Sequence, residues 1–281
     1  MKFTTLISPD QLAQHLGDQN WVIFDCRFTL KNPESGRQSY EKGHIPGARY
    51  AHLNDDLSGE ITSTSGRHPL PDPILLTQKL GAWGVNNNTQ VVVYDDSFGT
   101  MAVRMWWLLR WLGHDAVALL DGGLPLWIKE GHETSTEIPS ITPTEFLATV
   151  NDSMWVDSHD VQLALQQNKI IIDARAEERF LAYIEPLDKI AGHIPGTINS
   201  PVEDNLDNYG KLLSAEELRS QYLQLIDGSP SEQVIHMCGS GVTACQNILA
   251  MEMAGLPGSK LYVGSWSEWI TDPSRPISQG E

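Results

Sequence analysis

The chain has 281 residues, 41% of them hydrophobic and 20% charged, which is ordinary for a globular protein and long enough for two domains of about 100 to 150 residues, each with its own core. A formal net charge of −17 argues against nucleic acid as a partner and requires any anionic substrate to be met by local positive charge. No segment approaches the roughly 20 apolar residues of a membrane span, the N-terminus carries no secretory signal, and the three cysteines, at 26, 238 and 245, form neither a disulfide framework nor a CxxC pair; the chain reads as cytoplasmic, with no membrane partner and no zinc site.

In chain order, Ser8 is placed to start a helix, and an apolar run follows in Val22-Ile-Phe-Asp25-Cys-Arg27. After Gly43-His44-Ile-Pro-Gly47 comes Val91 to Tyr94, a β-branched run that predicts a buried strand leading into Asp95. Ala102 to Leu112, with Trp106, Trp107, Leu109 and Leu112, predicts a helix on the sheet, stopped at Gly113; Gly131 is a second stop. From Glu133 to Trp155 the chain carries Thr, Ser, Pro and Glu without a helical period, which suits an extended connection between domains at 1–135 and 154–281. Ser158 is placed to start the next helix, Ile170 to Ile172 and Val234 to Ile235 predict strands, and Ala215 to Leu225 and Ala244 to Ala254 predict helices, the last ending at Gly255.

The second half repeats the first. Asp25-Cys-Arg27 returns as Asp173-Ala-Arg175, Gly43-His44-Ile-Pro-Gly47 as Gly192-His193-Ile-Pro-Gly196, the strand before Asp95 as the strand before Cys238, and the segment ending in Trp127 as the one ending in Trp269. The offsets are 148, 149, 143 and 142, the slow drift of two copies of one domain with small insertions and deletions. Strands alternating with helices predict an α/β fold, each copy a mostly parallel sheet covered on both faces, with sites at the carboxyl ends of strands.

Cys238 occupies such an end. Val234-Ile-His-Met-Cys238-Gly-Ser-Gly-Val-Thr243 runs from a strand towards a helix starting near Val242, where N–H groups converge and favour a thiolate. Gly239 and Gly241 let the backbone curl round the sulfur, and Ser240 and Thr243 offer hydroxyls to an anion. Alone, the segment fits equally a nucleophile and a buried cysteine in a strand-turn-helix connection.

The paired Gly-His-Ile-Pro-Gly blocks, the Asp173-Ala-Arg175 strand end, the Cys238-Gly-Ser-Gly-Val-Thr243 loop and the Gly264-Ser-Trp-Ser-Glu-Trp269 segment together resemble the two-domain rhodanese-type sulfurtransferases, over nearly the whole chain, and within them the mercaptopyruvate branch. The resemblance implies tandem rhodanese-like domains, the first catalytically silent with Asp95 in the cysteine's place. It implies sulfur relay through a Cys238 persulfide, from a small anionic donor to a thiol such as thioredoxin or a small thiol, or to cyanide, with no metal or organic cofactor. The backbone of Gly239, Gly241, Val242 and Thr243 would form the cradle, and Arg179 would bind the donor's carboxylate or sulfonate. A second arginine common after Glu-Pro is missing: Glu185-Pro186 is followed by Leu187-Asp188-Lys189, where Lys189 is the available cation. Ser240 would work with a histidine and an acid from the first domain. His68 falls at the histidine, but the acid position holds Asn54, with Asp55 adjacent, and Arg67 beside His68 adds charge.

The uncharged Gly239 and Ser240 after the cysteine favour 3-mercaptopyruvate as donor, with thiosulfate the alternative. His44, His193, Asp25, Arg27, Asp173 and Arg175 occur in both copies and are assigned to the fold, the histidines hydrogen-bonding within their turns and the acids pairing with the arginines. Trp266 and Trp269 suit either the pocket wall or the core. Cys245 and Cys26 are assigned as inert thiols. A cysteine-loop phosphatase or arsenate reductase is disfavoured because the loop has no arginine, and a noncatalytic interaction module because the loop is intact.

Overall fold

A computed structural model describes residues 2–280. Two compact units emerge, Met1–Gly59 with Leu70–Asn151, and Glu60–Pro69 with Asp152–Glu281. The second boundary falls close to the composition change. The first copy is not continuous, however: residues 60–69, expected within the 1–135 domain, pack with the second unit, and they bring Arg67 and His68 with them.

The first unit has strands β1 (Leu6–Ile7), β2 (Trp21–Asp25), β3 (Arg49–Tyr50), β4 (Gln90–Tyr94) and β5 (Val117–Leu120). The second has β6 (Trp155–Val156), β7 (Ile171–Asp173), β8 (Ile198–Asn199), β9 (Ile235–Met237) and β10 (Lys260–Tyr262). Among the described residues the sheets are ordered β1-β5-β4-β2-β3 and β6-β10-β9-β7-β8, one topology used twice, and every named pairing is parallel. Parallel strands connected through helices are covered on both faces, which is why Val91, Val92 and Val93 in β4 are all fully buried.

The period of two along β9 divides the second core. Ile235 and Met237 face one layer with Val161, Tyr262, Trp266 and Trp269. On the other face, Ile172 packs with Leu218, Tyr222, Ile226 and Met251, carried by the helices Ala215–Ile226 and Ala244–Met253. The next residue after Met237 is Cys238, delivered at the carboxyl end of a central strand.

Local signals explain most element ends. Ser8 caps Pro9–Ala13 in a reciprocal box with Gln11, and Gly113, Gly131 and Gly255 follow helices with left-handed backbones. At the next helix, Ser158–Gln166, the cap is Asp157 rather than Ser158. The Asp157 carboxylate takes the Asp160 N–H at 2.9 Å, and the Ser158 hydroxyl accepts from Arg275 instead. The helix expected near Val242 begins at Ala244, because the intervening residues stay in the loop around the sulfur.

The duplicated turns are fixed by duplicated polar contacts. Arg27 holds both carboxylate oxygens of Asp25 and reaches the Gly43 carbonyl at 2.7 Å; Arg175 does the same with Asp173 and reaches Gly192 at 2.8 Å. The histidine rings bond outside their turns, against expectation: His44 Nδ1 pairs with the Tyr40 carbonyl and His193 Nδ1 with that of Phe180, each ring stacked on the aromatic whose carbonyl it meets.

His236 lies on the buried face of β9 with Nε2 3.1 Å from the Met251 sulfur, and burial lowers its pKa to about 3. Its depressed value makes the unfolded chain bind the extra proton first. The stability is therefore complete above the ordinary histidine value near 6.5 and is lost progressively as pH falls through that value towards about 3. Between pH 7 and pH 5 this group should cost about 2 kcal/mol of unfolding free energy. Urea unfolding of His236→Leu at the two pH values should show a correspondingly smaller loss than the parent; equal losses would place the acid sensitivity elsewhere.

Candidate active site

Cys238 is 2% exposed, and its sulfur is the focus of the loop that follows. Burial pushes the thiol up, but the Thr243 hydroxyl and the backbone N–H groups of Ser240, Ala244 and Val242 outweigh it and hold the thiol below its ordinary value. Gly241 makes that curl possible. It takes φ +73, and a Cβ there would stand 2.4 Å from the Val263 carbonyl oxygen, so the loop needs glycine both for conformation and for space.

The first unit contains the same device with a different anion. The buried Asp95 carboxylate accepts backbone N–H groups from Ser97, Gly99, Met101 and Ala102, all at 2.8 Å. Counted from Asp95, the donors at two, four and six residues on are those that converge on Cys238 when counted from it. By contrast Cys26, equally buried, has no such cradle: burial and the carboxylates of Asp25, Asp95 and Asp56 drive its thiol well above the ordinary value. Cys245 donates to the Gly241 carbonyl at 3.5 Å, and no described cysteine is in a disulfide.

A second layer pins the loop. The Cys238 N–H donates to Ser265 Oγ at 3.1 Å, Trp266 N–H donates to the Cys238 carbonyl, and Ser267 N–H to that of Gly239. Ser265 adopts φ +52 and is itself anchored to the Tyr262 carbonyl. Trp266 and Trp269 are fully buried core residues rather than pocket wall, with the Arg175 guanidinium 4.8 Å over the Trp266 ring. Sequence reasoning missed Ser265, although the text around it recurs in the first half of the chain.

Ser240 meets His68. The hydroxyl lies 2.7 Å from His68 Nδ1, with both residues buried, so two positions 172 apart in sequence share one hydrogen bond. Arg67, next to His68, is tied by its backbone N–H to Ser267 Oγ at 3.1 Å.

Two arginines border Gly239, and a third, Arg175, interacts electrostatically with Cys238. Arg179 Nη1 and Arg67 Nη2 lie 3.5 and 2.9 Å from where a Cβ on Gly239 would be. Arg179 pairs with neither Glu177 nor Glu178; its Nε and Nη2 hold the Glu185 carboxylate at 3.0 to 3.3 Å, and Nη2 reaches Asp188 at 3.0 Å. Arg67 Nη1 holds the other Asp188 oxygen. Burial raises Glu185, but the bonds from Arg179 and from the N–H groups of Leu187 and Asp188 bring it below its ordinary value; for Asp188 burial prevails and the carboxyl sits above it. Lys189 is exposed and lines a cavity of about 450 Å³ together with Arg67, Leu187 and Asp188. Of this segment Glu185 reaches Arg179, and Asp188, which nothing in the sequence singled out, reaches both Arg67 and Arg179.

Such an arrangement can hold a thiolate, stabilise negative charge on an atom bonded to it, and meet an anionic ligand with guanidinium N–H groups. Comparison with known proteins agrees. A family model of the rhodanese-like domain matches residues 8–130 and again 157–272. The chain is 44% identical, over the full length of both, to a probable 3-mercaptopyruvate sulfurtransferase of Pseudomonas aeruginosa. It is 37% identical, over 92% of this chain and 90% of the relative, to a putative thiosulfate sulfurtransferase of Mycobacterium tuberculosis. The crystal structure of a 3-mercaptopyruvate sulfotransferase from Escherichia coli superposes with a TM-score of 0.81 at 33% identity, covering 94% of this chain and all of that one.

Removing the Thr243 hydroxyl tests the cradle. A hydrogen bond to a charged group is worth about 1.5 to 3 kcal/mol, so Thr243→Val should raise the Cys238 titration midpoint by about one to two pH units, read from thiolate ultraviolet absorbance against a Cys238→Ser blank. An unmoved midpoint would show that the hydroxyl does not hold the thiolate.

Proposed function

The chain belongs to the rhodanese family, and from that premise we propose that it is a sulfurtransferase that takes sulfur from 3-mercaptopyruvate onto Cys238 and passes it to a thiol or to cyanide. The observation that carries this reading is a buried cysteine at the end of β9 with the Thr243 hydroxyl and the N–H groups of Ser240, Val242 and Ala244 gathered on its sulfur, donors that Cys26 lacks.

The Cys238 thiolate attacks the donor's thiol sulfur; an S–S bond forms, the donor's C–S bond breaks, and its electron pair leaves on carbon as the enolate of pyruvate. The thiol proton ends on that carbon, giving pyruvate and a Cys238 persulfide anion. Ser240, whose N–H meets the sulfur, is hydrogen-bonded through its hydroxyl to His68, and in this reading that pair carries the proton. Arg179 holds the donor carboxylate with the N–H edge that faces Gly239. The N–H groups that held the thiolate then hold the persulfide. A cyanide ion or a thiolate such as that of thioredoxin attacks the outer sulfur, the S–S bond breaks, and its electron pair returns to Cys238.

The first domain has Asp95 in the matching cradle and so offers no sulfur nucleophile there, which supports a silent copy. Free thiols at all three cysteines suit the reducing cytoplasm. Among the described residues no helix is long and apolar enough to cross a membrane.

Thiosulfate is the second reading, favoured by the putative thiosulfate sulfurtransferase among the relatives and by Arg67 as a second guanidinium at the loop. There the same attack breaks the S–S bond of thiosulfate and sulfite leaves with the pair.

Steady-state transfer to cyanide should show a higher kcat/KM for 3-mercaptopyruvate than for thiosulfate. Cys238→Ser should abolish both, and Arg179→Gln should lower the mercaptopyruvate value about 100-fold, the equivalent of the roughly 2 to 3 kcal/mol lost with a charge-assisted contact. Transfer surviving in Cys238→Ser would sink the mechanism, and a thiosulfate advantage would reverse the donor order.

A further inference from the structure

Asp188 has the position of a ligand. Its carboxylate lies between Arg67 and Arg179, bonded to both, and its side chain is 4% exposed. The same guanidiniums border Gly239 with their remaining N–H groups, so one carboxylate is shared by two cations at the loop that follows Cys238. With Glu185 on Arg179 and, at 3.9 Å, on Arg175, whose own partner is Asp173, the cluster has three positive and three negative groups and is formally neutral. The cavity of about 450 Å³ lined by Arg67, Asp188 and Ser267 opens onto these charges.

We propose that Asp188 determines which sulfur donor is accepted, by holding the charge beside the Cys238 loop at a level that admits a singly charged donor and disfavours a doubly charged one. The inference rests on the sulfurtransferase reading. At a fixed distance a carboxylate repels a dianion twice as strongly as a monoanion. Removing that charge therefore multiplies acceptance of the dianion by about the square of the factor gained by the monoanion. At neutral pH mercaptopyruvate, with its thiol protonated, carries one charge and thiosulfate two. Asp188 thus does more than brace two arginines: an isosteric residue without the charge keeps the shape but changes the selectivity.

The test compares parent, Asp188→Asn and Asp188→Glu, each checked for an unchanged melting temperature, with both donors and cyanide as acceptor. In Asp188→Asn the ratio of kcat/KM for thiosulfate to that for mercaptopyruvate should rise about 3- to 10-fold, and the rise should shrink at high ionic strength. In Asp188→Glu, which keeps the charge, the ratio should stay within about twofold of the parent. An unchanged ratio in Asp188→Asn, or an equal shift in Asp188→Glu, overturns the proposal. Calorimetric binding of thiosulfate and of pyruvate in the Cys238→Ser background, with and without Asp188→Asn, asks the same question without turnover. Absence of Cys238-dependent transfer in the parent would refute the functional reading, whereas the binding ratio would still decide the role of Asp188.

Discussion

Backbone N–H groups converging at the carboxyl end of a buried parallel strand must find a negative charge, and both halves of this chain are organised around that requirement. In the first half the Asp95 carboxylate accepts from four donors. In the second the acceptor is the Cys238 sulfur, in a loop with donors at the same spacing. A buried donor left without a partner costs about 1 to 3 kcal/mol, so a loop with several of them strongly favours whatever anion completes it. A carboxylate completes the loop as an oxygen anion, whereas a thiolate completes it as an anion that can also form a bond through sulfur.

The remaining electrostatics arrange charge at short range within a strongly acidic chain. Asp25 with Arg27, and Asp173 with Arg175, are buried pairs that also cap the carbonyls of Gly43 and Gly192, so they shape the turns after the strands in both copies. Around Cys238 the second unit sets Arg67 and Arg179 against Glu185 and Asp188. Long-range attraction does not assemble such a cluster at a net charge of −17; contact pairing does.

Much of this was legible in the sequence because the signals are local. Duplicated blocks at nearly constant offset point to two α/β sheets, β-branched runs to β4, β7 and β9, and a cysteine after β9 followed by Gly239 and Gly241 to the cradle. The failures are non-local. Residues 60–69 lie inside the first copy in sequence yet fold with the second unit, and no composition change marks them. Asp188 reads as one acid among 36 until Arg67 and Arg179 are seen on either side of it. Lys189, chosen because a cation was wanted after Glu-Pro, is exposed while its neighbour faces inward. The histidines of the duplicated turns were expected to bond within those turns, but their partners, the Tyr40 and Phe180 carbonyls, come from flanking segments that differ in spacing.

The Cys238 loop is stitched to distant stretches of the chain, its amide to Ser265, its carbonyls to Trp266 and Ser267, and its Ser240 hydroxyl to His68. Such a loop has no independent hinge. It opens only when the segments that hold it open, so its organisation is completed during folding and is not repeated at each turnover. Its tolerance to change is correspondingly narrow: evolution can adjust the chemistry around this sulfur only through replacements that also preserve the stability of the whole unit.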